Sequence, residues 1–360
     1  MANQRDVIDA LNIARGGGLI DDMEFALFYD VNRPRNLKIP YWSYEPLDLD
    51  QLTDDECKGE LRFEKNDIFD LADILQLPQF FTTYNRLKVD KIEGLCILLK
   101  RLAYPCRYLD MVPRFARPVP EICVIYNHVL EFIYNRWGFL LTNFERDILN
   151  PENLVNYAAA IHAKGAPLTN CWGFIDGTVR PISRPGNNQR AVYNGHKRVH
   201  AIKFQSVATP DGLVSLLAGP FEGKRHDSGM LRESGLLPVL QEHSVSPAGE
   251  IMCIYGDPAY PLRPQLQAPF KGANLTAQQQ LWNRQMSSVR VSVEWLFGDI
   301  TTYFKFIDFK KNLKIQLSAV GKMYIVCTLL KNARNCLYGS ITSDFFRMEP
   351  PHLQEYFSDN

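Results

Sequence analysis

The sequence predicts an α/β protein: a helical N-terminal region, then a sheet flanked by helices. Three observations carry this. Residues 61–140 repeat apolar positions at helical spacing, and residues 172–218 hold three extended apolar segments separated by turn signals. A wholly apolar run, IMCIY at 251–255, then precedes a long amphipathic stretch over 276–302. With 46% hydrophobic residues in a chain of 360, there is ample material for a packed core, in two domains or in one large domain with an addition.

Lys+Arg and Asp+Glu each number 40, so the formal charge is zero and any basic surface must be local. That excludes a protein that coats nucleic acid by bulk charge. Eight Cys are spread without a CxxC pair, as in reduced intracellular thiols. Neither a secretory leader nor a membrane-length apolar run is evident, so a soluble, intracellular protein without membrane association is expected.

Residues 1–60 read as an extension. Gly16-Gly17-Gly18 ends a weakly helical stretch, and Pro34, Pro40 and Pro46 predict irregular chain after it. Between Glu45 and Asp73 eleven acids face three bases, either a solvated surface or a segment covering a basic groove. In 61–140 one helix carries Phe69, Leu71, Ala72 and Leu75, and a second Ile92, Leu95, Cys96, Leu98, Leu99 and Leu102. A short piece at 108–115 and a longer helix after Pro118 follow, with Ile122, Ile125, Tyr126, Val129, Ile133 and Tyr134 inward. Short helix, proline turn, longer helix suits either a structural helical domain or a helix-turn-helix, but Glu121 and Glu131 make a poor DNA-reading face. Residues 141–170 are a connection, 171–340 the sheet-bearing domain, and 341–360 a C-terminal tail.

Within the sheet domain, Val199–Ala208 and Leu213–Ala218 form a hairpin around Thr209-Pro210-Asp211-Gly212. They can pair antiparallel with the strand ending near Asp176. That acid, in WGFIDGTVRP, is either a turn residue before Gly177 or a charge aimed into a site from a strand. Asp257 follows the IMCIY strand, Asp227 or Ser228 caps a helix, and Glu294 borders the buried stripe of a helix over 276–302. Strand ends and helix edges converge on one rim of such a sheet. Carboxylates gathered there repel unless a cation sits among them, and oxygen ligands without His or Cys select Mg²⁺ or Mn²⁺. Two such ions activate water and stabilise the leaving oxygen in phosphodiester hydrolysis. A dehalogenase-type phosphatase is excluded, because Phe174 stands where its nucleophilic Asp belongs. A zinc site from His196, His200, His226 and Cys253 lacks close ligand spacing.

Cations flank these acids. No acid occurs from Gly177 to Pro210, where Arg180, Arg184, Arg190, Lys197, Arg198 and Lys203 suit phosphate contact. Lys310 and Lys311 lie in a second cluster, and Arg290, one turn before Glu294, suits either that carboxylate or a phosphate.

Five stretches together, WGFIDGTVRP, YNGHKRVHAIKFQ, GPFEGKRHDSGMLRESGL, YGDPAYPL and RQMSSVRVSVEWLFG, resemble the nuclease part of Harbinger-type DDE transposases and their domesticated relatives. They span about 172–300 in family order. The resemblance implies a ribonuclease-H-like mixed sheet flanked by helices, with catalytic Asp176, Asp257 and Glu294, and Asp227 as a further metal-binding acid. It implies Mg²⁺ or Mn²⁺ as cofactor, and DNA as substrate for cutting and strand transfer in the nucleus. A Myb-like DNA-binding partner and a homodimer are further expectations. Many relatives carry His where this chain has Val179, a position outside the metal ligands. The competing expectation is a domesticated DNA-binding or scaffold protein without cleavage.

Overall fold

The computed structural model describes residues 4–32, 39–315 and 317–358, with residues 4–6 described by their backbone alone. The chain divides into two units, Met1–Ser43 and Tyr44–Asn360.

The first unit holds α1 (Gln4–Gly16) and α2 (Asp22–Asn32). The glycine run ends α1 as expected. Helix α2 falls where irregular chain was predicted, because Asp21 and Glu24 exchange side-chain and backbone hydrogen bonds of 2.7 and 3.0 Å that start a helix. Arg15 joins the two helices, 2.8 Å from Asp22 and 4.9 Å over the Phe25 ring. Pro34 lies outside the described residues.

The second unit opens with α3 (Asp54–Leu61), α4 (Lys65–Ile74), a small ladder of β1 (Phe80–Thr82) and β2 (Lys88–Asp90), then α5 (Lys91–Ala103), α6 (Tyr108–Phe115), α7 (Val119–Trp137) and α8 (Pro151–Ala163). The periodic positions of α4, α5 and α7 are buried as the spacing predicts, except Phe69, which is exposed, and Ile92 and Tyr134, which are half-buried. Acids of the 45–73 segment cap a helix and pair with neighbouring bases. Thr53 and Glu56 cap α3 reciprocally, Asp54 to Glu56 sit at its positive end, and Glu60 pairs with Lys100 and Arg114.

The sheet follows: β3 (Cys171–Pro181), the short α9 (Gln189–Val192) and β4 (Tyr193–Asn194), β5 (Val199–Ala208), β6 (Val214–Glu222), helices α10 (Asp227–Glu233) and α11 (Leu236–His243), then β7 (Cys253–Tyr255) and β8 (Leu266–Gln267). The order is β5-β3-β7-β8, with β4 and β6 both on the outer side of β5. Pairing is antiparallel among β3 to β6 and parallel from β3 to β7 and β7 to β8. This mixed sheet between helices bears out the α/β, ribonuclease-H-like expectation.

After the sheet come α12 (Ala277–Arg290), α13 (Ser292–Tyr303), α14 (Val320–Tyr338), α15 (Ile341–Phe346) and α16 (Leu353–Tyr356). They cover one face of the sheet through aromatic contacts: Phe174 with Phe346, Tyr255 with Trp282, and Phe204 with Tyr324, at 6.4, 5.7 and 4.5 Å between ring centroids. Helix α14 also packs on α7 and α13. Its Lys322 pairs with Glu131 and covers the Tyr134 ring, and its Arg334 lies 4.1 Å over Tyr303. Tyr356 is fully buried, accepting from Asn332 at 2.8 Å, while Arg146 binds its carbonyl at 2.6 Å.

Asp211, in the β5–β6 turn, ties these layers. Its carboxylate accepts from Tyr157 of α8 at 2.7 Å, Thr209 at 2.6 Å and the Leu213 amide at 3.1 Å. Its carbonyl accepts from Asn335 of α14. Burial raises its carboxyl above the usual value, against the lowering effect of those donors and Lys331. The folded state therefore keeps a proton that the unfolded chain releases, so this contribution to stability is full below about pH 4 and declines as pH rises through the folded value. Asp211→Asn should flatten that decline in urea melts taken from about pH 4 upward. Asp211→Ala, which orphans the buried donors, should cost about 2–4 kcal/mol at neutral pH.

Candidate active site

Asp176 lies inside β3, opposite Ser206 of β5, so the chain runs through Asp-Gly without turning. On its other side β3 pairs in parallel with β7, where Phe174 stands against Tyr255. Two residues further along come Asp176, inside β3, and Asp257, just past the end of β7. Gly256 faces Ile175, on the side opposite to Asp176, which leaves Asp257 on the Asp176 side, close enough for its charge to act on that carboxyl. Gly256 permits the approach: a Cβ there would stand 2.6 Å from the Tyr260 ring and 2.8 Å from Ile175.

Glu294 reaches the same face from α13. The single long helix expected over 276–302 is broken at Val291, where the Ser292 hydroxyl bonds back to the Val289 carbonyl at 2.9 Å. That bond and three β-branched residues at alternate positions weaken the helical ladder there. Glu294 then occupies the first turn of α13, 63% exposed, while Val293 and Leu296 are buried. Arg290 spans the gap: its guanidinium lies 3.3 Å from Asp176 and 4.0 Å from Glu294. The Asp176 carboxyl is raised above its usual value, chiefly by burial and further by Asp257 and Asp227, against the opposing effect of Arg290.

Asp227 is placed differently from the other three acids. It opens α10 without capping it, since His226 holds the cap position. Its carboxylate packs on Gly177, where a Cβ would meet Oδ1 at 2.7 Å and Met230 at 3.1 Å. Gly177 faces opposite to Asp176, so Asp227 sits across β3 from the other acids. Lys203, expected on a phosphate track, is buried on that side, with its ammonium 2.6 Å from Asp227 and 2.9 Å from the Arg225 carbonyl.

The other cations are distributed along the surface. Arg180 shares the face of Asp176, about 13 Å further along β3, bonded to Thr178 and lying 5.4 Å from the Tyr324 ring. Arg184 bonds Gln189, and Arg184, Arg190, Lys197 and Arg198 are exposed. Lys310 and Lys311 are exposed as well, and their carbonyls accept from Ser183 at 2.8 and 3.0 Å. The two basic segments, far apart in the chain, are stitched together at that point.

A divalent ion fits the donor chemistry on the Asp176 face. Its donors are carboxylate oxygens alone, one of them desolvated and destabilised by neighbouring acids, which a hard cation would relieve. Among the described residues, no three His, Cys, Asp or Glu side chains already stand together as an ion site. The guanidinium of Arg290 lies between Asp176 and Glu294 instead.

A mixed sheet of this order, flanked by helices and carrying acids on adjacent central strands, defines a ribonuclease-H-like α/β protein. Residues 175–332 match the model of the family described as DDE superfamily endonuclease, so this stretch is similar to the nuclease domains of that family. The matched stretch includes Asp176, Asp227, Asp257, Arg290 and Glu294. No significant match was found among curated proteins or solved structures.

The tight contact at Gly177 gives a direct check. Gly177→Ala should lower unfolding free energy by about 1–3 kcal/mol in chemical denaturation, because its methyl group overlaps Asp227.

Proposed function

We infer that the protein is a divalent-metal-dependent DNA endonuclease of the Harbinger transposase type, acting in the nucleus. The observation that carries this reading is the β3–β7 register, which sets Asp176 beside Asp257 with Glu294 tethered through Arg290. Asp176, Asp257 and Glu294 would hold two Mg²⁺ or Mn²⁺ ions. Bound there, the ions supply an activated water and stabilise the leaving 3′ oxygen of a phosphodiester.

The chain's own residues set the stage for that chemistry. Asp176 is fixed by its strand and by the Gly177 amide at 2.8 Å, so it supplies an oriented oxygen from a buried position. Glu294 is exposed on a helical first turn and can swing without disturbing the core. Arg290 neutralises Asp176 and Glu294 in the resting chain, and the same donors can reach a phosphate oxygen. Arg180 on the same face, with Arg184, Lys310 and Lys311 around Ser183, suits the DNA backbone leading to the acids. A released 3′-hydroxyl attacking target DNA would be the same displacement with another nucleophile, which is the strand-transfer step.

A separate Myb-like protein that reads DNA sequence fits the helical region. Helix α7 packs on α5, α6 and α14 and leaves only Pro120, Asn127 and Asn135 exposed, which is little surface for a groove.

With Mn²⁺ and nicked-circle detection, Asp176→Ala and Asp257→Ala should each reduce cutting by about 10³-fold or more. Cutting at the parental rate by either variant would overturn the assignment. DNA binding without cutting in any divalent ion would instead favour a domesticated DNA-binding or scaffold protein. Replacing Lys310 and Lys311 together by Glu should weaken binding to all duplexes alike and reduce the slope of log affinity against log salt by roughly 2.

A further inference from the structure

Behind the catalytic strand lies a buried polar cluster that the nuclease chemistry does not use directly. Lys203 and Gln205, two apart on β5, face the side of the sheet opposite to Asp176. Lys203 is 6% exposed and binds Asp227 at 2.6 Å and the Arg225 carbonyl at 2.9 Å. Gln205 is 1% exposed, donates to the Tyr260 hydroxyl at 3.2 Å and accepts from Ser234 at 3.2 Å. Tyr260, fully buried, stands three residues after Asp257, and its ring packs under Gly256. One cluster thus grips the α10 start, the backbone beside Asp176 and the turn carrying Asp257.

We propose that Asp227 is a positioning residue held by Lys203, pressing on Gly177 to fix Asp176, and that it is not itself a metal ligand. Its carboxylate already has a cation in contact, on the far side of β3 from Asp257 and Glu294. A carboxylate bound to a buried ammonium gains little by giving it up, because the ammonium would then be left unpaired. The inference rests on the metal-nuclease reading and assigns a different task to one of its acids.

The test uses the full chain without DNA, titrated with Mn²⁺ and followed by electron paramagnetic resonance of the free ion, alongside nicking kinetics. In the charge-balanced variant Lys203→Gln/Asp227→Asn, Mn²⁺ affinity should stay within about threefold of the parent, whereas Asp176→Asn should weaken it at least about tenfold. The paired variant should nick at least about tenfold more slowly at saturating Mn²⁺, a loss in kcat without a change in metal requirement. Lys203→Arg, which keeps the cation, should recover most of the rate, and thermal melts establish that each variant is folded.

Loss of Mn²⁺ binding by the folded paired variant, to the level of Asp176→Asn, would make Asp227 a ligand and overturn the proposal. Parental nicking by that variant would overturn it too, since the pair would then position nothing. A parent that binds no Mn²⁺ would sink the metal-nuclease reading itself and this inference with it, an outcome distinct from the other two.

Discussion

The register between β3 and β7 is the constraint on which the site depends. With Phe174 opposite Tyr255, Asp176 follows two residues on inside β3 and Asp257 two residues on, just past the end of β7. A slip of one residue would turn Asp257 into the opposite layer and leave Asp176 facing apolar chain. Register here is enforced by packing on both sides. Ile254 and Tyr255 are buried, and Gly256 leaves room only for Tyr260 and Ile175. The position of the acids is therefore a by-product of filling the core.

Placing carboxylates in such a sheet costs desolvation, and the fold offsets it with cations from other elements. Asp176 has Arg290 from α12, Asp227 has Lys203 from β5, and Asp211 has Lys331 nearby. Each arrangement crosses from one element to another, so the charges also fix how the layers meet. Asp176 and Asp227 are equally exposed at 22%, but the Arg290 cation is 22% exposed where Lys203 is 8%, and an exposed glutamate waits beside Arg290. This difference separates the face suited to chemistry from the faces that support it.

Much of this was legible in the sequence, because the signals are local. The strand at Val199–Ala208, the Thr209–Gly212 turn and the helix after Pro118 declare themselves by spacing and turn chemistry. Local statistics favour a turn at Asp-Gly, yet packing on both faces keeps β3 extended through it. Which acids share a face was not readable, since that depends on pairing register between distant segments. Lys203 looked like a phosphate contact because a sequence displays a charge without its partner 24 positions on. The break at Val291 came from a serine bonding back to its own helix, a competition that periodicity does not register. Helix α3 was overlooked although Thr53 and Glu56 carried a readable capping signal.

Phe346, Leu353, Tyr356 and Phe357 are core residues, and Tyr356 holds contacts from both α14 and the loop before α8. The layer that covers the Asp176 face is thus closed by aromatic side chains some 170 or more positions further along the chain than the strand they cover. That face is completed by long-range contacts, so its order reports on the folding of the whole sheet unit.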